Sequence, residues 1–157
     1  MANSQYKVRK SIRLDKEAYM GGDVFHITIQ SHRGRELLVK DVAEMSLDVL
    51  RYICDHEPFR VYAAMAMPNH LHVLCATDEG DNLLRHINRL KAVTTTLFHR
   101  QGYTGSLWRR RYYDHGLRTN ESVEQTALYI LENPVRKGLV DNWKQWPYFM
   151  VADGVFD

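Results

Sequence analysis

The chain has little cysteine, no long apolar run and almost no net charge. Its two cysteines, Cys54 and Cys75, are too few for a disulfide framework and form no CxxC metal knuckle; they read as reduced thiols of a cytoplasmic protein. No apolar run approaches the ~18 residues a membrane helix needs. The N-terminal stretch MANSQYKVRKSIRLDKEAY is basic but has no apolar segment of the secretory type. No repeat, low-complexity tract or linker interrupts the chain. What is present is ordinary globular composition: 157 residues, 45% apolar and 25% charged. That suffices for one domain over 1–157 with a buried core.

The net charge of +2 hides an uneven distribution. Residues 1–16 carry +4, within a basic arm taken as 1–20, and residues 17–81 carry −6. Residues 82–118 carry +7 and residues 119–157 carry −3. The strongest basic segment contains Trp108-Arg109-Arg110-Arg111-Tyr112-Tyr113. Arginine pairs with phosphate and rings stack on unpaired bases, so the interleaving suits single-stranded nucleic acid; a solvated charged strand reads equally well.

Residues 23–30 alternate Phe25, Ile27 and Ile29 against His26, Thr28 and Gln30, which predicts a half-buried strand. Apolar spacing predicts a helix over 41–56, opened by Asp41 and Glu44 in a capping-box pattern. Residues 59–67 and 70–77 read as a hairpin turning at Pro68-Asn69. A helix over 82–100, an aromatic strand over 107–117 and a helix over 120–133, stopped by Pro134, complete the order β-α-β-β-α-β-α. That order predicts an α+β, ferredoxin-like antiparallel sheet with helices on one face and a further C-terminal helix. The tail over 138–157, with Trp143, Trp146 and Tyr148, is expected to pack back on the domain.

Two positions could carry chemistry. On a strand, residues i and i+2 share a face, so His70 and His72 project together while Leu71 points away. Two neutral imidazoles on one face are half of a metal site, or simply two partly exposed strand histidines. On the last helix Val123, Ala127, Ile130 and Leu131 form a core stripe within about 80°, and Tyr129 lies roughly 120° off its start. Tyr129 is therefore placed away from the core, as a reactive group or as a tyrosine packing against the tail. Asn133 falls four residues on, near the same helix face.

Four stretches in order, FHITI at Phe25–Ile29, MPNHLHVL at Met67–Leu74, LWRRRYYDHGLR at Leu107–Arg118 and YILENPVRKGLV at Tyr129–Val140, resemble the single-tyrosine, IS200-like transposases of the His-hydrophobic-His nuclease superfamily. The resemblance covers most of the chain and is strongest to the REP-associated tyrosine transposase branch. It implies that Tyr129 is the nucleophile, that His70 and His72 bind a divalent metal, Mg²⁺ or Mn²⁺, and that Asn133 supplies the third ligand. It also implies that the substrate is single-stranded DNA next to a hairpin, cut and rejoined through a 5′-phosphotyrosine. A tyrosine hydroxyl titrates near ~10 and is a weak nucleophile, so a Lewis acid at the phosphate suits the chemistry.

Arg109, Arg110, Arg111 and Lys91 are the candidates for the DNA backbone; Tyr112 and Tyr113, the rivals to Tyr129 as nucleophile, are the candidates for stacking or packing. Strand alternation would send Arg109 and Arg111 to one face and Arg110 to the other. His26, on the polar side of the strand beside the HLH strand, is an accessory candidate; Asp114 and His115 take no derived role. The implied enzyme acts in the cytoplasm on the nucleoid, alone or as a homodimer. The readings that compete with it are a non-catalytic hairpin binder and a metal-dependent nuclease using water.

Overall fold

The computed structural model describes residues 16–156, so most of the basic arm lies outside the described residues. Nine α and β elements follow one another as β1 (Phe25–Gln30), α1 (Asp41–His56), β2 (Phe59–Met67), β3 (His70–Thr77), α2 (Leu83–Arg100), β4 (Tyr113–Gly116), α3 (Val123–Leu131), α4 (Asn133–Arg136) and β5 (Phe149–Val151). The strands form one antiparallel sheet in the order β4-β1-β3-β2-β5. The four strands β4-β1-β3-β2 have the ferredoxin-like arrangement that the element order predicts, and β5 adds a further edge beside β2.

Helices pack on both faces of the sheet. On one, Ile27, Ile29, Leu71 and Val73 pack against the apolar stripes of α1 and α2, including Leu50, Ile53, Ile87 and Leu90. On the other, Met65, Met67 and Leu74 pack against Ala127, Ile130 and Leu131 of α3, with Trp143, Trp146 and Phe149 from the tail closing over them. The two faces are kept apart by period-2 alternation in β1 and β3. In β2 the register shifts between Val61 and Ala63. This bulge swaps the facing, so Val61 lies with the α1–α2 core while Ala63, Met65 and Met67 serve the α3 core.

Four sequence expectations need correction. The aromatic strand expected over 107–117 is only Tyr113–Gly116; before it, Ser31 and Trp108 make an isolated bridge. Buried Leu107, Trp108 and Tyr112 anchor the segment, and Lys91 Nζ donates to the carbonyls of Arg109 (2.9 Å) and Arg110 (2.8 Å), which turns those carbonyls toward α2. Arg109, Arg110 and Arg111 are consequently all exposed, and the alternation expected of them does not hold. The last helix starts at Val123, where the Ser122 side chain accepts from the Gln125 N–H. Finally, Pro134 does not end the helical path: α3 closes at Leu131 and a second turn, α4, begins at Asn133 with proline in its first turn, where a missing N–H costs nothing.

Candidate active site

β1 and β3 pair with Thr28 opposite His72 and Gln30 opposite His70. The side chains of His26, Thr28, His70 and His72 therefore share the sheet face on which α3 lies. His70 Nε2 and His72 Nε2 approach to 3.0 Å, and the ring planes are nearly perpendicular at 89°. His72 Nδ1 meets His26 Nε2 at 2.9 Å and Thr28 Oγ1 at 3.2 Å. His70 Nδ1 meets the Asn69 side-chain oxygen at 2.7 Å. Asn69 thus accepts from Nδ1, which leaves the lone pair of His70 on Nε2.

The electrostatics keep all three rings neutral. Burial is the main cause for each. It lowers His70 to about 4, with Lys137 adding to the effect, and lowers His26 to about 4, helped by His115. His72 is lowered well below the ordinary value by burial, then by His26, His70 and Arg136. Neutral imidazoles with converging Nε2 atoms are what a divalent ion requires of two ligands. A separation of 3.0 Å is also about that of two adjacent ligands on an octahedral ion with bonds near ~2.1 Å. The donor set therefore fits a metal at His70 and His72. Among the described residues no third histidine, cysteine or carboxylate completes a metal cluster. His26 faces the Nδ1 side of His72, so it orients that ligand from behind, as an outer partner does. Further ligands must be amide, water or phosphate oxygens. Asn133 is buried, and its Nδ2 donates to the Ile130 carbonyl at 3.1 Å, so any ligation by it has to come from Oδ1.

Tyr129 stands on the outer side of α3 and is 49% exposed. Arg136 of α4 folds back on it: the guanidinium lies 4.0 Å from the ring centroid, and Nη2 donates to the Tyr129 carbonyl at 2.6 Å. Its charge is also among the lesser causes that lower His72. Sequence reasoning missed Arg136, although YILENPVRK places it seven residues after the tyrosine, two helical turns along.

The basic segment sits at one border of this site. The Arg109 N–H donates to the Gln30 carbonyl at 2.8 Å and its guanidinium to Gln30 Oε1 at 2.7 Å, next to the His70 register position. Arg109 also lines, with Arg110, Lys91, Thr95, His99 and Trp108, a shallow groove of about 400 Å³ against α2. This concavity lies on the α2 side of the segment, so the chemistry-bearing face of the sheet is not where the groove is. Tyr112 is corrected: it is 5% exposed and part of the α1–α2 core, with Lys91 Nζ 5.4 Å from its ring centroid, so no base can stack on it.

Residues 23–133 match the family described as "Transposase IS200 like". A Haemophilus influenzae protein named as a REP-associated tyrosine transposase is 30% identical over 139 residues, spanning 82% of this chain and 78% of its own. A REP-associated tyrosine transposase of Escherichia coli is 24% identical over 130 residues, spanning 83% and 77%. The solved structure of a REP-associated tyrosine transposase bound to a REP hairpin superposes with a TM-score of 0.69 at 23% identity, over 90% of this chain and 81% of that one. A Deinococcus radiodurans chain described as a transposase superposes with a TM-score of 0.54 at 18% identity, over 75% and 92%. At these identities the two superpositions speak for the fold.

Proposed function

Because the chain belongs to the IS200-like transposase family, in its REP-associated tyrosine transposase branch, we propose that it cleaves and rejoins single-stranded DNA beside hairpins through Tyr129. The observation that carries this reading is the pair of neutral imidazoles whose Nε2 atoms converge to 3.0 Å. His70 and His72, with Asn133 through Oδ1, would hold Mg²⁺ or Mn²⁺, which when bound supplies a Lewis acid for the scissile phosphate.

The rest of the chemistry falls to the chain. Tyr129 Oη attacks phosphorus and gives up its proton; the bond to the 3′ oxygen breaks and that oxygen takes up a proton. A 5′-phosphotyrosine and a free 3′-hydroxyl result. The phosphodiester energy is retained in the covalent link, so a second 3′-hydroxyl can reverse the step, which a water nucleophile would prevent. Arg136 fixes the ring from one side and brings positive charge toward the phosphate. His26 and Thr28 hold the His72 ring in place. Arg109, Arg110 and Arg111 take backbone phosphates, and Lys91 acts by holding the arginine loop through its carbonyls. Support for the hairpin as substrate comes from the solved relative, which is bound to a REP hairpin. We place the enzyme in the cytoplasm on the nucleoid, in keeping with its two free thiols.

The test is a labelled single strand carrying a hairpin, incubated with Mg²⁺ or Mn²⁺ and run on a denaturing protein gel. The unmodified protein forms a DNA-linked band and Tyr129→Phe forms none while still binding DNA. A band from Tyr129→Phe assigns the nucleophile elsewhere; no band from the unmodified protein leaves a hairpin binder or a water-using nuclease.

A further inference from the structure

The face of the sheet that carries the histidines is covered unevenly. α3 and the tail pack on β2 and β3, and their apolar cluster reaches toward β1 and β4 only at Val24 and Leu117, outside both strands. Between those limits β1 and β4 present Thr28, Gln30, Tyr113 and His115 on one side, because Tyr113 is the register partner of Thr28 and His115 of His26. No described apolar element covers them. Tyr113 is 43% exposed there, in contrast to its buried neighbour Tyr112.

The register also sets the distance to the site. His72, Thr28 and Tyr113 stand side by side on three adjacent strands, and Thr28 already touches His72. Two strand spacings put Tyr113 about 10 Å from His72, a few nucleotides from a phosphate bound at the imidazoles. At the end of β1 the Arg109 guanidinium is seated on Gln30 on the same border. An exposed ring on an open sheet with a guanidinium at its margin offers stacking for a base and a cation for the backbone.

We infer that the open face of β1 and β4 is the subsite for the unpaired DNA strand leading from the cleaved phosphate, with one base stacked on Tyr113 and a backbone phosphate at Arg109. This rests on the cleavage reading for its substrate, but its readout is binding. A base is the occupant that the surface fits: the ring is flat and exposed, its neighbours are polar, Arg109 supplies positive charge at the margin, and the Glu121 carboxylate beside β4 is engaged by His115 at 3.0 Å.

The test uses a mixed-sequence single-stranded oligonucleotide with chelator present and in the Tyr129→Phe background, so no chemistry enters. Tyr113→Ala should weaken binding by about 5- to 140-fold, with the salt slope unchanged, and Tyr113→Phe should hold affinity within about two-fold. Arg109→Ala should instead reduce the salt slope by about one. A 5-iodouracil-substituted strand, irradiated on the protein with Tyr113 intact, should cross-link at Tyr113. Equal affinity of Tyr113→Ala and the parent, an equal loss in Tyr113→Phe, or a cross-link at the exposed Tyr103 and not at Tyr113 would each overturn the subsite. A DNA-linked band from Tyr129→Phe in the cleavage assay would overturn the nucleophile and leave this binding result standing.

Discussion

Two histidine clusters sit near opposite ends of β3, and their neighbours give them opposite characters. At the His70 end, ring nitrogens face other ring nitrogens, with Arg136 and Lys137 nearby, and every one of these disfavours a proton on the imidazoles. At the Thr77 end, His86 of α2 is wholly buried and stacked on Phe59. Its Nδ1 meets Glu57 Oε2 at 2.6 Å and its Nε2 meets Asp81. Arg89 holds Glu57, Arg85 holds Asp81 at 2.9 Å, and Thr77 donates to Asp81 at 2.6 Å. Both ring nitrogens of His86 are thus engaged by carboxylates, and neither is free for a ligand. Burial alone therefore does not mark a functional histidine. A cluster whose ring nitrogens meet no carboxylate leaves lone pairs available at Nε2; a cluster with carboxylates engages both nitrogens as a fastener.

The largest effect that would sharpen this contrast is loss of the site. His70→Ala combined with His72→Ala should abolish cleavage and calorimetric Mn²⁺ binding, since both imidazole donors go, while the melting temperature changes little. Undiminished Mn²⁺ affinity in the double variant breaks the comparison. Next comes the fastener. His86→Ala leaves Glu57 and Asp81 mostly buried without the ring between them, and should cost about 3–5 kcal/mol in denaturant unfolding while Mn²⁺ binding persists. Unfolding unchanged within error would show the cluster to be an ordinary surface feature.

Acid should separate the two ends in sequence. The folded-state values of His26 and His70, about 4, lie below the ordinary histidine value of 6.5. Folding therefore disfavours their protonation, and their contribution to stability is lost as pH falls from 6.5 to about 4. At Asp81 burial raises the carboxyl, but hydrogen bonds from Thr77, His86 and the Asn82 N–H outweigh it and hold the group at about 2. Its contribution is present above 3.8 and is lost as pH falls toward 2, on the order of 1 kcal/mol after solvent screening. Histidine ring proton shifts followed by NMR should show the first step at the site and leave the His86 environment intact until the second. The smallest effect concerns Arg136. Arg136→Ala should slow adduct formation several-fold with little change in DNA affinity, and Arg136→Lys should restore only part, because a planar guanidinium is what stacks on the ring. Equal rates for all three proteins would remove Arg136 from the site.

Much of the fold could be read from local pattern. Alternation located β1, β3 and the shared facing of His70 and His72; helical spacing located α1 and α2, and put Tyr129 off the buried stripe of α3, where it is found. The rest was illegible for identifiable reasons. Tyr112 and Tyr113 are identical in type and adjacent, yet one is core and the other exposed, because β4 begins only after the arginine loop. The arginines look like strand alternation in sequence, and it is Lys91 from a distant helix that turns the Arg109 and Arg110 carbonyls toward α2. β5 is three residues long and gains its partners only by pairing with β2.

The sequence by itself determined the elements, the facing of the histidines along β3 and the outward placement of Tyr129, since each follows from the period of a strand or helix within a few residues. Only the tertiary structure decided what those side chains meet. His26 reaches His72 because β1 pairs with β3 in one register, and Arg136 lies over Tyr129 because a helical turn resumes at Asn133. Met65 faces α3 because of a bulge at Tyr62. Such contacts depend on a register, a bulge and a helix break, and a shift of one residue in any of them would exchange the faces while leaving the local pattern untouched.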